Sequence, residues 1–247
     1  EAYAVGEGGT ALHFDGTAWT GLDTADAGEA QMDVWGAAEV LAVGGYGTIM
    51  NLTQPASTSA DIALRSLWGT SASDIFAVGE TILHSDGTTW TAMTPDTGQW
   101  LNAVWGSSAT DVFAVGEYGT ILHYDGAAWS AMESGVQETL HGVYGDAPNN
   151  VYAVGDNGVV LHYDGTTWNL LLAGGISLRD VWAAERLVVA VGDDGTVLTG
   201  RSSDTRKEQG RKPKAALTGG RQTPDQGKVG SGGVPQTPSL KGPRQTR

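Results

Sequence analysis

"VWGSSATDVFAVGEYGTILHYDGAAW", residues 104–129, decides the fold, because its three markers return along most of the chain in one order. The tripeptide AVG stands at 4–6, 42–44, 77–79, 114–116, 153–155 and 190–192, with 38, 35, 37, 39 and 37 residues between successive valines. LHYDGAAW (122–129) has counterparts in LHFDGTAW (12–19), LHSDGTTW (83–90) and LHYDGTTW (161–168). VWG (104–106) returns at 34–36, and as LWG (67–69), VYG (143–145) and VWA (181–183). A period near 37 held through six copies is a repeat architecture.

Within one copy the spacing predicts four short strands, at 101–107, 111–116, 120–124 and 127–132, joined at SAT, EYG and DG. The Asp-Gly joint predicts a tight type I′ hairpin, with positive φ at both central residues. In 112–115, Val112 and Ala114 take one face and Phe113 and Val115 the other, so the sheet is apolar on both sides and needs cover on both. No helical period supplies that cover, whereas radially arranged four-stranded blades cover one another. The expected fold is all-β: a β-propeller of about six four-stranded repeats over residues 1–200. Copy one starts at its second strand and copy six stops after its third, at TVLTG (196–200). The terminal blades are therefore expected to be incomplete, with 22 strands in all, as in a truncated or imperfectly closed array.

Charge divides the chain at the same place. Residues 1–200 hold three basic residues (Arg65, Arg179, Arg186) against 25 acids, while residues 201–247 hold 11 Lys and Arg against three acids. A body this acidic repels nucleic acid and anionic membrane surfaces. The basic tail is rich in Gly, Pro, Gln and Thr and lacks aromatics, so residues 201–247 are expected to be disordered. There is no cysteine, hence no disulfide framework, and no apolar run long enough for a membrane-spanning helix. The expected state is a monomer or part of a larger chain.

The stretch 104–129 resembles the repeats of bacterial secreted or cell-surface propeller proteins. It is similar also to the BNR/Asp-box propellers and to the photosystem II stability/assembly-factor-like propellers, in which Asp and Gly of the Asp-box are separated by one residue; here they are adjacent (SDGTTW, 85–90). The resemblance covers residues 1–200 and implies a propeller whose first strand is innermost, in a protein outside or on the surface of a bacterial cell. Copy two has lost the hairpin motif (IMNLTQPA, 49–56), and copy three is two residues shorter between Glu80 and Thr81.

The His/Asp pairs His13/Asp15, His84/Asp86, His123/Asp125 and His162/Asp164 suggest metal or acid–base chemistry, but rotation-related copies near the rim do not converge on one point. They are read as scaffold: Asp15, Asp86, Asp125 and Asp164 cap turns, Gly16, Gly87, Gly126 and Gly165 supply positive φ, and the Trp three residues on packs against a neighbouring blade. The recurrent tryptophans (19, 90, 129, 168 and 35, 68, 105, 182) read as core rather than as a sugar platform.

Positions that vary inside the constant frame carry the functional expectation. Met32, Arg65, Asn102, His141 and Arg179 open the first strand; Glu7, Gly45, Glu80, Glu117 (with Tyr118 beside it), Asp156 and Asp193 follow AVG. In an antiparallel meander both sets share one edge, and therefore one face of the disc, together with the connections 94–101 and 133–140. This face is expected to bind a protein segment or a glycan, without catalysis; the acids could equally be turn residues, or hold Ca²⁺, though no calcium-loop motif is present. No other metal or cofactor is expected. A sialidase-like glycoside hydrolase is the enzymatic alternative, and it lacks its arginine triad: the body has three arginines, and Arg186 falls in a joint on the opposite face. A passive repeat array within a larger surface protein is the third reading.

Overall fold

The structure is a computed structural model. It describes residues 1–23, 30–36, 39–53, 56–59, 62–93, 98–184, 187–201 and 216–218. These form six antiparallel sheets, each a meander in chain order. Sheet one has β1 (Ala2–Val5), β2 (Ala11–Phe14) and β3 (Trp19–Gly21); sheet two has β4 (Gln31–Gly36), β5 (Val40–Gly44), β6 (Thr48–Asn51) and β7 (Ala56–Ser59). Sheet three has β8 (Leu64–Ser71), β9 (Asp74–Gly79), β10 (Ile82–Ser85) and β11 (Trp90–Met93). Sheet four has β12 (Leu101–Ser108), β13 (Asp111–Gly116), β14 (Ile121–Tyr124) and β15 (Trp129–Met132). Sheet five has β16 (Leu140–Ala147), β17 (Asn150–Gly155), β18 (Val160–Tyr163) and β19 (Trp168–Leu172), and sheet six β20 (Leu178–Ala184), β21 (Leu187–Gly192), β22 (Val197–Arg201) and β23 (Ala216–Thr218).

Successive sheets meet through their first strands: β4 touches β8, β8 touches β12, β12 touches β16 and β16 touches β20. The fold is a β-propeller in which the first strands of sheets two to six are innermost. One strand departs from expectation. Ala216–Thr218, inside the segment expected to be disordered, pairs with Arg201–Thr199 as the outer strand of sheet six, so the described strands number 23. The rest of that segment lies outside the described residues, as do Arg186 and positions 94–97.

The apolar interior is a series of slabs between blades. One joins Phe113 and Val115 of β13 to Leu140, Val143 and Val151 of sheet five; another joins Phe76 and Val78 of β9 to Leu101, Val104 and Val112 of sheet four. Each such side chain removed from water contributes about 1.5–3 kcal/mol. VWG is a device for stacking these slabs. A Cβ on Gly106 would lie 2.6 Å from the Trp68 ring, and one on Gly145 would lie 2.7 Å from Trp105, so the aromatics of sheets three and four, like Trp35 of sheet two on Gly69, lie on the next blade's glycine. The outer tryptophans reach the other way: Trp129 meets Phe76 edge-on at 5.9 Å, and Trp168 meets Phe113 likewise.

The AVG glycine answers a second close approach. A Cβ on Gly44, Gly79, Gly116, Gly155 or Gly192 would stand 2.0–2.2 Å from the carbonyl oxygen just before the blade's own first strand. That same oxygen accepts the N–H of the next residue, as Trp100 does from Glu117 at 2.9 Å.

Two hairpin expectations are corrected. The Asp-Gly joint is a four-residue loop, since Tyr124 pairs with Trp129 and the Asp125 N–H donates to the Ala128 carbonyl at 3.3 Å. Gly126 takes φ +92°, but Asp125 is not left-handed; its carboxylate accepts the N–H groups of Ala127 and Ala128 instead. The Thr17 hydroxyl, with two backbone N–H groups, holds the equivalent Asp15 carboxyl at about 2. The type I′ turn sits at the other joint, with Tyr118 (φ 53°, ψ 35°) and Gly119 (φ 68°) central and a Thr120 N–H to Glu117 carbonyl bond closing it. Asn157-Gly158 and Asp194-Gly195 repeat this turn with the residue pairs that suit it best.

The repeated histidines pair across strands, not with the Asp two residues on. His84 Nε2 lies 2.8 Å from Asp74, His123 Nε2 lies 2.7 Å from Asp111, and His162 Nε2 lies 2.8 Å from Asn150. The first strand supplies the third member: the Thr70 hydroxyl donates to Asp74, the Ser107 hydroxyl to Asp111, and the Asn150 amide to Asp146. Each imidazole lies against the strand-two ring, as His123 does on Phe113 with ring centres 4.6 Å apart and planes tilted by 31°. Sheet two keeps the link with both members changed, the Asn51 amide donating to Glu39 at 3.0 Å.

The glycine contacts predict an asymmetry between equivalent positions. Gly116→Ala should destabilise the protein by about 1–3 kcal/mol, because backbone must give way. Gly6→Ala should change stability by no more than about 0.5 kcal/mol, since nothing lies within 4 Å of a Cβ there. Urea unfolding of both variants checks this. Burial lowers the His162 imidazole below its ordinary 6.5, so the unfolded chain binds a proton that the fold refuses. This site's contribution is present above that value and is lost as pH falls toward the lowered one. His162→Gln should therefore show a shallower loss of stability between about pH 7 and pH 5 than the wild type in the same urea assay.

Candidate functional site

Each first strand slips register by one residue near its start. The slip falls between Gln31 and Asp33, Leu64 and Ser66, Leu101 and Ala103, Leu140 and Gly142, and Leu178 and Asp180. The extra residues are Met32, Arg65, Asn102, His141 and Arg179, the positions that vary within the repeat. A bulge re-aims its side chain, and here it frees one residue per blade from the packing that fixes its neighbours. Since the first strands adjoin, the bulged residues are brought beside one another around the axis.

They bond from blade to blade. Arg65 Nη1 donates to Asn102 Oδ1 at 2.5 Å, and Asn102 Nδ2 donates to the Leu140 carbonyl at 2.8 Å. Arg179 Nη1 lies 3.0 Å from His141 Nε2, which also lies 2.8 Å from Asp156 Oδ1. A single nitrogen cannot accept from Arg179 and donate to Asp156 at once, so the tautomer of His141 selects the partner.

The residues after AVG supply the counter-charges. Arg179 grips Asp193 with two nitrogens, at 2.8 and 2.6 Å, and Glu117 stands 3.8 Å from Arg65 across the blade boundary. The Arg179 bonds hold the Asp193 carboxyl below the usual range, and Asp193 in turn raises the guanidinium. At Asp156 burial opposes ionisation, yet the His141 hydrogen bond and the Arg179 charge outweigh it and the carboxyl is lowered. The Arg65 guanidinium also lies 4.3 Å from the centre of the Trp100 ring, a cation–π contact.

Seven of the expected residues thus form two connected groups: Arg65, Asn102 and Glu117, and His141, Asp156, Arg179 and Asp193. Tyr118 lies beside them, two-thirds exposed at the crest of its turn. Glu7 opens the turn of sheet one, and Glu80 lies in the shorter β9–β10 joint of sheet three, where the Gly79 N–H donates to the Thr81 carbonyl at 3.0 Å; both are exposed and neither enters the bonds described above. Met32 is exposed at the fifth bulge. Trp100 was not singled out, although it lies in the connection 94–101 expected on this face and is the one tryptophan of nine outside the two recurrent sets. Among the described residues no group of three or more His, Asp or Glu side chains could hold a metal ion.

No family model matches the chain, and no curated protein matches it by sequence. Solved structures do share its fold. A structure described as YCF48 bound to D1 peptide has a TM-score of 0.62 at 16% identity, over 80% of this chain and 73% of that one. YCF48 from Cyanidioschyzon merolae gives 0.62 at 15% identity, over 80% and 76%. The WD40 repeats of RRP9 give 0.69 at 7% identity, over 87% and 75%. At these identities the likeness is one of fold, and it places the chain among β-propellers.

In Arg179→Ala, the Asp193 carboxyl should titrate at a higher pH, nearer its ordinary value, and Asp156 should move the same way by less. Carboxyl-carbon NMR titration of wild type and variant measures both shifts.

Proposed function

We propose that the protein is a non-catalytic binding propeller that recognises a segment of another protein on the face bearing Arg65, Asn102, Glu117, His141, Asp156 and Arg179. The observation that carries this reading is the set of bulges. The frame holds the blades rigid, while at a bulge in five of the six sheets it presents one variable side chain on the same edge, exposed at Met32 and Arg179 and half-buried at Arg65, Asn102 and His141. Such a face offers cations, carboxylates and an amide at fixed spacing, with the Trp100 ring alongside, which suits a polypeptide's own mix of charge and apolar surface. The fold's occurrence in a structure of YCF48 with a peptide supports a polypeptide ligand. The polar groups are largely engaged with one another, so a ligand must exchange these bonds for its own, which favours selectivity over raw affinity.

A single body of chemistry argues against turnover here. The two arginines of the face are separated by Asn102 and His141, and each is already matched to a carboxylate. The sequence resemblance alone suggests a role outside the cell.

The test is capture of partners on immobilised wild type and on a combined Arg65→Ala, Asn102→Ala, Arg179→Ala variant. Captured polypeptides should bind the variant at least tenfold more weakly, with the thermal midpoint of the variant little changed. Equal affinity for the two would remove this face from consideration, and hydrolysis of a glycoside panel by the wild type would overturn the non-catalytic reading.

A further inference from the structure

Two of the turns that crown the binding face break a local rule. The turn between second and third strands has a left-handed central residue, which is Gly8 in sheet one, Asn157 in sheet five and Asp194 in sheet six. These residue types accept such a backbone readily, and a bulky side chain does not. Sheets two and four nevertheless place a tyrosine there, Tyr46 at φ 55° and Tyr118 at φ 53°. Both rings stand mostly in solvent, Tyr46 being 77% and Tyr118 66% exposed. A left-handed backbone held by a large exposed aromatic points to a use outside the fold itself.

The sheet between these two is the one whose turn is cut short. Sheet three passes from Val78 to its partner Ile82 through residues 79–81, where sheet four passes from Val115 to Ile121 through residues 116–120. The longer turn leans over the next blade, since a Cβ on Gly119 would stand 2.2 Å from the Val136 carbonyl on the way into sheet five. Over sheet three the face is therefore lower, and a cleft runs between the two tyrosines. Arg65, from the bulge of sheet three, stands in it with its guanidinium over Trp100 and a hydrogen bond to Asn102. Glu80 is exposed at the shortened turn, and Glu117 stands at the foot of the Tyr118 crest, 3.8 Å from Arg65.

We infer that this cleft seats an extended, lysine- or arginine-bearing segment of a protein partner, lying across sheet three from Tyr46 to Tyr118. The inference rests on the binding face proposed above and names what that face selects. Sheets packed face to face lie about 10 Å apart, so the crests of sheets two and four are about 20 Å apart, a span that extended chain crosses in about six residues. Tyrosine gives a large contact area with little side-chain entropy to lose, and its ring face attracts a cation. The cleft already accommodates one such pair, Arg65 on Trp100. Charge complementarity decides the sign of the occupant. Arg65 is engaged with Trp100, Asn102 and Glu117, which leaves Glu80 and the outer side of Glu117 for a ligand to meet. Around them, residues 1–200 set 25 acids against three basic residues, so a cationic segment is drawn in and an anionic one is repelled.

The turn's own counterparts supply the test variant, because Asn157 shows that asparagine keeps this geometry. Tyr46→Asn combined with Tyr118→Asn removes both rings and leaves net charge unchanged. The probes are three labelled eight-residue peptides, alike except at two positions that hold Arg, Gln or Glu, followed by fluorescence anisotropy with the full chain. Wild type should bind the Arg peptide saturably and at least tenfold more tightly than the Gln peptide, with the Glu peptide weakest. The tyrosine variant should bind the Arg peptide at least fivefold more weakly, while its thermal midpoint by circular dichroism rises. Absence of saturable binding, equal binding of the Arg and Gln peptides, or equal binding of the Arg peptide by wild type and the tyrosine variant would overturn the inference. Captured partners that lose affinity for the Arg65→Ala, Asn102→Ala, Arg179→Ala variant, yet bind the tyrosine variant as they bind wild type, would keep the face and overturn the cleft.

Discussion

The ring of Trp105 lying on Gly145 is the contact on which the rest depends. A sheet whose two faces are both apolar has no stable surface of its own, and it is completed only when a second sheet approaches closely. Glycine permits that approach where the blades crowd toward the axis, and the aromatic fills the space so gained. Repeated at Trp35 on Gly69 and Trp68 on Gly106, the contact sets the spacing of the inner strands. The four slabs of core follow from that spacing.

A second glycine links stability to recognition. Gly116 is glycine because the Trp100 carbonyl stands where a methyl group would be, and this carbonyl lies two residues before the bulge at Asn102. The close approach and the bulge belong to one local geometry. The backbone that must be held most tightly therefore presents the side chain that is most free to change. This is how five positions at the start of five strands, Met32, Arg65, Asn102, His141 and Arg179, can differ in charge and size within one frame.

Much of this was legible in the repeat. The period, the four strands and the apolar faces require only counting, and the face could be found because Arg65, Asn102, His141 and Arg179 vary within a constant frame. That these residues are bulged was not legible, since a bulge changes register without changing composition. The partner of His123 was not legible for a related reason. Asp125 is nearer in sequence, but Asp111 is nearer across the hairpin, and the Asp of DVFAVG and DIFAVG recurs in step with the His. Hairpin chemistry was assigned to the wrong joint because an Asp-Gly pair was favoured over Tyr118-Gly119, whose left-handed tyrosine the turn tolerates. Ala216–Thr218 carries no copy of the hairpin motif, so its place in sheet six had no signal in the repeat.

The rim links differ from the face in one respect that bears on how such a protein can change. His123 with Asp111, and Asn51 with Glu39, close within a single blade, so a blade carries its own fastening wherever it is placed. Two substitutions inside one repeat can exchange one fastening for another, and the neighbours are undisturbed. Arg65 with Asn102 and Arg179 with His141 cross from blade to blade. Duplication or shuffling of repeats would therefore preserve the scaffold and rewrite the face in the same event, because new neighbours bring new bulged residues into line.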